Sequence, residues 1–382
     1  MKHRHITFYF SGDPYTICDY MLQLAKEFAK KDVVFGFLLY GKPYSVWRDI
    51  YNPKEKALEK KDGIYMIRQI YLIPFQRISV IRTLNAYIHA LICYPLIVSL
   101  VKLRLRVQTL GKPVFIFYHP EKEEKYFRCI FRLFARTHTT LFDVVDYPPV
   151  YRVKNSLHIY KKFIRESDIV TVNSRTLYGI FSTFRKDIHV VPPGFAIEDF
   201  RHPKKTVVFP KDKPIIVYVG ALGSRLDYPL LFRLVSKNPQ WRFVFWGPTQ
   251  IMEGEDEREI TKNVYHLLSY PNVIHGFSNS KKETAGIIGQ FSVGLIPYDI
   301  SQKQNRFCLP MKFFEYLYCG IKCFSTDIVE LRKYSDTVLI LNTIHLSHAC
   351  KIGRTLKPKK NSIVNICYNT WEDKARSIAS FL

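Results

Sequence analysis

Acidic residues are scarce in this chain, and one long stretch has none. From Gly63 to Pro120 there is no Asp or Glu, whereas Lys and Arg recur throughout. The whole chain of 382 residues carries 57 Lys and Arg against 33 Asp and Glu, a formal net charge of +24. This excess favours anionic partners, such as a membrane surface or nucleotide phosphates. We expect no nucleic-acid partner, because no recognition-helix, zinc-finger or RNP-type pattern accompanies the charge.

Paired cysteines and a secretory leader are also lacking. The eight cysteines are scattered without a CxxC pair, and Cys319 and Cys323 have no His or Cys partners at zinc spacing. Reduced thiols in a cytosolic compartment are the expectation. The N-terminal MKHRHITFYFSG has neither a long apolar core nor a small-residue cleavage site, so we expect no signal peptide and a cytoplasmic protein.

The acid-free stretch contains a strongly apolar segment, NAYIHALICYPLIVSLV, with cations on both sides. A membrane-spanning helix needs about 20 apolar residues, and Asn85, His89 and Pro95 make this segment a marginal span. Two alternatives remain. One is a helix lying in the membrane interface with Arg and Lys towards lipid phosphates, which predicts a protein peripheral on the cytoplasmic membrane. The other is a buried domain helix with basic flanks.

Strand candidates alternate with helical patterns along most of the chain. In the first half they are Ile6–Phe10, Val33–Leu39, Val114–Tyr118, Thr140–Val145 and Ile169–Val172; in the second they are Ile215–Val219, Trp241–Trp246, Val273–Ile274, Val293–Ile296 and Cys323–Ser325. This alternation predicts an α/β fold with parallel sheets covered on both faces. Short strands that stop at Gly or Pro are typical of doubly wound domains, where loops meet a ligand.

A linker rich in Pro and Lys, Arg201–Pro214, divides the two series. We therefore predict a first domain over residues 1–200 and a second over 201–368. A terminal amphipathic helix over 369–382 follows, and its packing back on the first domain is one option.

The segment LPMKFFEYLYCGIKCFST, Leu309–Thr326, is the most informative motif. Pro in the first turn and Gly just past the last turn predict a short helix over Met311–Cys319. Lys312 lies in its first turn and Glu315 one turn further on. A carboxylate at that place can accept both hydroxyls of a ribose, while a solvated surface glutamate is the alternative.

Further pieces match a known family in order. They are SDIVTVNSRTLYGIF, IHVVPPGFAIEDF, PIIVYVGALGSRLDYPLL, WRFVFWGPT, NVIHGF, VGLIPY and NTWEDKARSIASFL. With the helix motif, this set resembles the GT-B nucleotide-sugar glycosyltransferases of the group-one type over roughly residues 140 to 382. The resemblance implies two Rossmann-like, doubly wound domains facing a cleft. The first would be membrane-facing and bind the acceptor, and the second would bind the nucleotide sugar.

One position departs from the pattern of the retaining members of that family. They carry a second acidic residue eight positions before the helix glutamate, where this chain has Phe307. The chain is in this respect similar to variants such as the xanthan-pathway glucuronosyltransferase, which has a similar MK-rich segment. Retaining chemistry is therefore in doubt, and an inverting reaction with one catalytic base is the alternative.

Candidate donor-binding residues lie in the second half. Gly220, Gly223 and Arg225 follow its first strand, where backbone N–H groups and a guanidinium can meet phosphate oxygens. Lys312 is a second candidate cation, and a solvated loop cation is the alternative for Arg225. The resemblance implies that Glu315 holds the ribose hydroxyls. It also implies that the backbone around two further residues, Gly276 and Phe277, faces the base.

Candidate catalytic bases lie in the first half, where an inverting transfer needs a carboxylate or histidine to deprotonate the acceptor. Asp146 ranks first, because it follows a buried strand and the glucuronosyltransferase has its carboxylate in a similar place. Asp13, in the first strand-to-helix loop, is the competitor, with helix capping as its alternative role. His119 is third, and Asp143, inside a strand, is expected to pair structurally.

No metal site is expected. The chain has no convincing DxD-like pair in a loop, and EGEDERE (Glu253–Glu259) reads as a solvated charge run. We therefore expect a metal-independent enzyme without a cofactor other than its nucleotide-sugar co-substrate.

The sequence as a whole predicts a hexosyl- or glucuronosyl-type glycosyltransferase. Its donor would be UDP-linked, and its acceptor a lipid-linked saccharide or polysaccharide in envelope or exopolysaccharide synthesis. The alternatives are a sugar-nucleotide epimerase of the same fold and a non-catalytic relative that binds lipid or anions.

Overall fold

The structure is a computed structural model of the chain. The described residues are 3–10, 14–15, 20–38, 57–69, 72–73, 75, 78–120, 124–148, 155–210, 213–249, 255–278, 280–291, 293–341 and 370–382. The chain divides into two compact units. The first unit comprises Met1–Pro192 together with Trp371–Leu382, and the second comprises Pro193–Thr370.

The first unit is built on an eight-stranded sheet with the order β3-β4-β2-β1-β5-β6-β7-β8 among the described residues. Its strands are β1 His3–Phe10, β2 Val33–Leu38, β3 Leu58–Lys61, β4 Ile64–Arg68, β5 Thr109–Phe117, β6 Thr139–Val144, β7 Ile169–Val172 and β8 Ile188–Val190. Its helices before the second unit are α1 Tyr20–Ala29, α2 Ser79–Leu105, α3 Glu124–Thr137, α4 Ser156–Glu166 and α5 Arg175–Phe181. All pairings are parallel except β3 with β4. The parallel α/β architecture that the sequence predicts is therefore confirmed.

Aromatic side chains fill the core of the first unit. Phe115 stacks on Phe134 with ring centroids 4.3 Å apart, and Phe117 stacks on Phe142 at 4.8 Å. Each buried ring removes a large apolar area from water, and stacked pairs add about 0.5–1.5 kcal/mol beyond burial. This explains why strands whose sequences are continuous apolar runs form the centre of a parallel sheet with helices on both faces.

Helix α2 is long and apolar enough to cross a membrane by length and composition, and 39% of its most apolar window is buried within the protein. A π-helical turn, His89–Cys93, interrupts it. Two of its polar residues, Asn85 and His89, point inward: the buried Asn85 amide bonds the backbone of Leu72 and Ile73, and the His89 ring lies 5.0 Å from that of Phe37. The opposite face exposes large apolar side chains, at Val80, Leu84, Leu91, Ile92, Leu96, Leu100 and Leu103.

The second unit is built on a six-stranded parallel sheet with the order β11-β10-β9-β12-β13-β14. Its strands are β9 Ile215–Val219, β10 Arg242–Trp246, β11 Val273–Gly276, β12 Val293–Ile296, β13 Lys322–Ser325 and β14 Val338–Ile340. Its helices are α6 Ile197–Arg201, α7 Tyr228–Ser236, α8 Glu255–Leu268, α9 Lys281–Ile288, α10 Lys303–Arg306 and α11 Met311–Tyr318, with a 3-10 helix at Val329–Tyr334. The order of strands reverses at β9 and β12, the point where doubly wound sheets bind ligands.

The last helix, α12 Trp371–Ala379, belongs to the first unit. The Trp371 ring contacts Tyr20 of α1 edge-on, with centroids 4.9 Å apart. Arg4 of β1 donates to the Ala379 carbonyl, and the Phe381 ring stacks on His189 at 4.0 Å. Residues from both ends of the sequence therefore complete one core.

Two boundaries differ from those predicted. The division between units lies before Pro193 and not after residue 200, because Phe195 and Phe200 pack against Tyr318 in the core of the second unit. The described part of the predicted linker Arg201–Pro214 also packs within that unit. There the Lys204 amide bonds the Lys282 carbonyl, and the Phe209 ring is buried.

Candidate functional site

The loops after β9 and β10 approach each other closely at the carboxyl edge of the second sheet. The Gly220 amide donates to the Trp246 carbonyl at 2.9 Å, and a Cβ on Gly247 would come within 2.2 Å of the Gly220 carbonyl oxygen. Gly220 has φ +140°, a backbone conformation that favours glycine. A Cβ there would also lie 2.9 Å from the Lys312 Nζ. The two glycines therefore let a bare backbone loop form directly beside a lysine ammonium.

Two cations share one phenol ring in this place. The Lys312 Nζ lies 4.6 Å from the Tyr298 ring centroid and bonds its hydroxyl at 2.7 Å, while the Arg225 guanidinium carbon lies 4.5 Å from the same centroid. Lys312 also lies over Tyr218, 4.4 Å from its centroid. We define the cation cluster as Arg225, Lys312 and the rings of Tyr218 and Tyr298. Because like charges repel, an anion near the cluster would relieve the repulsion.

Lys312 is buried, yet it keeps its charge. Burial by itself lowers its pKa, but the hydroxyls of Tyr218 and Tyr298 outweigh that effect and raise the pKa above its ordinary value. Burial raises the pKa of Tyr218, so this phenol is neutral at pH 7 and meets the ammonium with its oxygen lone pairs. The cluster thus presents a fixed positive charge in a place with little water.

Arg225 is held by its neighbours from α10. Its Nε donates to Asn305 Oδ1 at 2.8 Å, and the Asn305 Nδ2 returns a bond to the Arg225 carbonyl at 3.1 Å. Asn305 is fully buried. A solvated loop cation, the alternative considered from sequence, does not describe a guanidinium positioned in this way.

Helix α11 is docked against the sheet by Tyr316. The Tyr316 hydroxyl accepts from the Val219 amide at 3.0 Å and donates to the Leu295 carbonyl at 3.2 Å. The ring lies where a Cβ on Gly294 would be, within 2.4 Å. A glycine in β12 therefore allows the close approach that places the first turn of α11, with Lys312, at the ends of β9 and β12.

Glu315 lies one turn after Lys312 on α11 and is only 5% exposed. Its Oε1 accepts a hydrogen bond from the Lys281 Nζ at 2.5 Å, and the Lys281 side chain is itself 38% exposed. Lys281 is the first residue of α9, and the Ser280 hydroxyl caps that helix by accepting from the Glu283 amide. Glu315 is thus a buried, oriented carboxylate, which excludes a solvated surface glutamate.

The remaining donor-site candidates lie around the ends of β9 and β11. The Gly276 carbonyl accepts from the Gly247 amide at 2.7 Å, and a Cβ on Gly276 would meet the Trp246 ring at 2.3 Å. Phe277 is 63% exposed. The Gly223 carbonyl accepts from the Tyr228 hydroxyl at 3.2 Å, so it closes the loop before α7. Their roles towards a ligand stay predictions.

Sequence analysis missed the partners that complete this site. Lys281, Tyr218 and Tyr298 were not singled out, although Tyr298 ends the VGLIPY piece. A local signal existed only for α9, where Ser280 followed three residues later by Glu283 is a capping-box pattern that marks the helix start. The pairing of Lys281 with Glu315 is set by tertiary packing and has no local signature.

The candidates for a catalytic base are distributed over adjacent strands of the first sheet. Asp146 follows β6 and His119 follows β5, so both lie at the carboxyl edge, and both are half-buried. His119 Nδ1 lies 3.3 Å from the Tyr160 hydroxyl. Asp13 lies outside the described residues. Asp143 is paired structurally, as expected, with Lys374 at 3.0 Å.

Among the residues that the structure describes, no group of three or more His, Cys, Asp or Glu side chains is placed to hold a metal ion.

The fold is shared with enzymes of known structure. Sucrose-phosphate synthase from Thermosynechococcus elongatus superimposes with a TM-score of 0.69 at 15% identity, covering 99% of this chain and 98% of that one. HepE from Anabaena, solved in complex with UDP, gives a TM-score of 0.62 at 12% identity and covers 99% of both chains. These neighbours confirm that the chain has the GT-B fold expected from its sequence motifs.

Sequence comparison reaches less far. TuaH of Bacillus subtilis, named as a teichuronic acid biosynthesis glycosyltransferase, is 23% identical over 180 residues. The match covers 45% of this chain and 43% of TuaH, so it spans less than half of either protein. No protein-family model matches the sequence.

Proposed function

We propose that the protein is a glycosyltransferase that transfers a sugar from a UDP-linked donor to a lipid-linked saccharide at the cytoplasmic face of a membrane. The transfer needs no metal, and Asp146 is the candidate base. The single observation that carries the proposal is the cation cluster at the point where the strand order of the second sheet reverses. A departing diphosphate requires positive charge at that edge, and the cluster supplies it.

The contacts within the second unit support the following roles. Arg225 and Lys312 face the two phosphates, and the backbone of the Gly220 loop lies within reach of them. Glu315, oriented by Lys281, accepts the ribose hydroxyls. TuaH is named for glycosyl transfer, and HepE was solved with UDP, which supports this class of reaction and this nucleotide.

Attachment to the membrane is supported by the outer face of α2. An interfacial helix turns its apolar side to lipid and its polar side to water. Helix α2 exposes leucines on its outer face, and it keeps Asn85 and His89 inside the protein. Arg104 and Arg106 at its end are exposed and can reach lipid phosphates. Such a face would be unfavourable in water and stable against the headgroup and acyl boundary.

The test is the change in melting temperature caused by UDP and by uridine. UDP is expected to raise the melting temperature of the purified protein. Glu315→Ala should remove the shift for both ligands, because both carry the ribose. Lys312→Met should reduce the change in melting temperature that UDP causes. It should leave the change caused by uridine as it is, because uridine lacks phosphates. Glu259→Ala, an exposed carboxylate on α8, is the matched control.

A UDP-induced shift that persists in Glu315→Ala would disprove the ribose role. Once a donor is identified, product analysis separates the reaction classes. Conversion of the donor without any acceptor to its epimer would indicate an epimerase, and binding without turnover would indicate a non-catalytic protein. Both outcomes contradict the proposal.

A further inference from the structure

A cavity of about 500 Å³ lies between helices α2 and α3 in the first unit. This volume is within the range of small-molecule sites, about 300–1,000 Å³. Its apolar wall includes Leu91, Pro95, Val98 and Phe134, and Leu91 also belongs to the exposed apolar face of α2. The cavity is therefore continuous with the surface that we place against the membrane.

Two histidines at this cavity each have a ring nitrogen without a partner. His5 is 4% exposed, and neither its Nδ1 nor the Nε2 of His138 has a hydrogen-bond partner among the described residues. Both residues line the cavity, and their rings meet edge-on with centroids 5.6 Å apart. A buried polar group without a partner costs about 1–3 kcal/mol, so a ligand atom that pairs with it stabilises the complex.

The contacts on the other side of each ring are compatible with a hydrogen on each of these two unpaired nitrogens. The Tyr94 hydroxyl lies 2.6 Å from Thr7 Oγ1, which lies 3.2 Å from His5 Nε2. When the chain of donors runs from Tyr94 through Thr7, Nε2 accepts and Nδ1 carries the hydrogen. In His138, Nδ1 lies 2.8 Å from the Thr137 hydroxyl, and Nε2 carries the hydrogen in the tautomer whose Nδ1 accepts from that hydroxyl.

Both imidazoles are neutral at pH 7. Burial lowers the pKa of His5 to about 2 and that of His138 to about 4, and the nearby charge of Lys102 acts in the same direction. A neutral imidazole in this tautomer offers one N–H to the cavity. In this tautomer the pair provides two hydrogen-bond donors to the cavity.

Positive charge completes the lining. Lys102 lines the cavity, where its Nζ donates to Thr109 Oγ1 at 3.2 Å, and the exposed Arg136 lines it from α3. Among the residues that the structure describes, no acidic side chain lines this cavity. Donors and cations beside an apolar wall match a molecule that has an anionic phosphate and a hydrocarbon chain.

We propose that this cavity binds the phosphate and the adjoining chain of an anionic membrane lipid. The phosphate accepts from His5, His138, Lys102 and Arg136, and the chain lies along Leu91 and Pro95. The lipid holds the first unit to the membrane surface and takes no part in sugar transfer.

The position of the cavity in the fold separates this lipid from a reacting acceptor. His138 immediately precedes β6, whereas the candidate base Asp146 follows its end. A strand of six residues, with a rise of about 3.3 Å per residue, puts roughly 20 Å between these two edges of the sheet. The cavity is therefore a second site.

The test is titration calorimetry with three soluble probes: dihexanoylphosphatidic acid, dihexanoylphosphatidylcholine and inorganic phosphate. Dihexanoylphosphatidic acid should bind saturably and shift the His138 Nε2 resonance in the nitrogen-15 spectrum. Arg136→Gln and His138→Phe should each weaken it about tenfold, because each removes a hydrogen bond to a charged group. Arg132→Gln, which removes an exposed charge from the same helix as Arg136 but outside the cavity lining, should leave the affinity unchanged.

Each other outcome overturns the proposal. Equal affinity for inorganic phosphate would mean a phosphate site without a lipid chain, and equal affinity for the phosphatidylcholine would mean no recognition of the anionic phosphate. Equal weakening by Arg132→Gln would mean that diffuse surface charge causes the binding. The UDP-induced change in melting temperature is measured on the same variants. It reports on the second unit and does not depend on this cavity.

Discussion

Lys374 and Asp143 form an ion pair in which neither side chain is exposed to solvent. The Lys374 Nζ lies 3.0 Å from Asp143 Oδ2 and also donates to the Val191 carbonyl at 3.2 Å. Asp143 Oδ1 accepts from the Thr171 hydroxyl at 2.7 Å. Burial lowers the pKa of Lys374, and the Asp143 carboxylate opposes this shift. The pair joins the last helix of the chain to the centre of the first sheet.

Removing one partner of this pair should strongly destabilise the first unit. Lys374→Met leaves the Asp143 charge buried and unpaired, which costs about 3–5 kcal/mol. Urea denaturation should show this loss, whereas Arg376→Gln, an exposed cation on the same helix, should change stability by less than about 0.5 kcal/mol. Adding Asp143→Leu to Lys374→Met should recover part of the stability. If the losses in the free energy of unfolding simply add in the double variant, the ion pair is not the cause of the destabilisation.

Asp146→Asn should abolish sugar transfer without affecting donor binding. A positioned general base contributes about 100-fold to 10,000-fold, so the rate of UDP release from the donor in the presence of a membrane lipid extract should fall by at least about 100-fold. The UDP-induced change in melting temperature should remain, because the second unit provides it. The equivalent changes Asp13→Asn and His119→Gln test the two competitors. Turnover retained in Asp146→Asn would transfer the role to one of them.

Membrane attachment should depend on the exposed leucines of α2. Leu96 and Leu100 are 58% and 56% exposed. Replacing both with Ser removes apolar area that contributes about 2 kcal/mol, or roughly a 30-fold weaker partition. Cosedimentation with phosphatidylglycerol vesicles measures the effect. Val208→Ser changes an exposed apolar side chain of the second unit and serves as the control. Equal loss of binding in both variants would assign attachment to another surface.

Stability should decrease on acidification because of His138. Its pKa is lowered to about 4 in the folded protein, first by burial and then by Lys102 and Lys112. The unfolded chain, with an ordinary pKa of about 6.5, therefore binds more protons between pH 6.5 and pH 4. The free energy of unfolding therefore decreases as the pH is lowered through this window. His138 alone accounts for about 2 kcal/mol of this decrease at pH 5. His138→Phe keeps the contact with Phe134 and should reduce the dependence of the free energy of unfolding on pH in this window. An unchanged dependence on pH would refute the assignment to His138.

Local patterns in the sequence predicted the elements that local chemistry determines. The helix expected over Met311–Cys319 is observed over Met311–Tyr318, and Gly320 adopts the left-handed conformation expected of a cap, with φ +71°. The β3–β4 hairpin and the edge strand β14 were not predicted. They are short, and β3 is exposed throughout, so no buried run marks it.

Long-range pairings could not be predicted in the same way. Lys281 is 34 residues from Glu315, and Lys374 is 231 residues from Asp143. Nothing near each residue indicates its partner, because the contact depends on which strands and helices become neighbours. The composition of α2 likewise indicated an apolar helix with basic flanks, but not that Asn85 and His89 turn inward.

The first unit is interrupted in sequence by the second, since α12 is made after residues 193–370. During translation the second unit leaves the ribosome as one continuous piece and can fold at once. The first unit must wait, with Asp143 unpaired, until Lys374 emerges. A premature stop within the last few dozen codons would therefore impair the unit made first, while leaving the second unit intact.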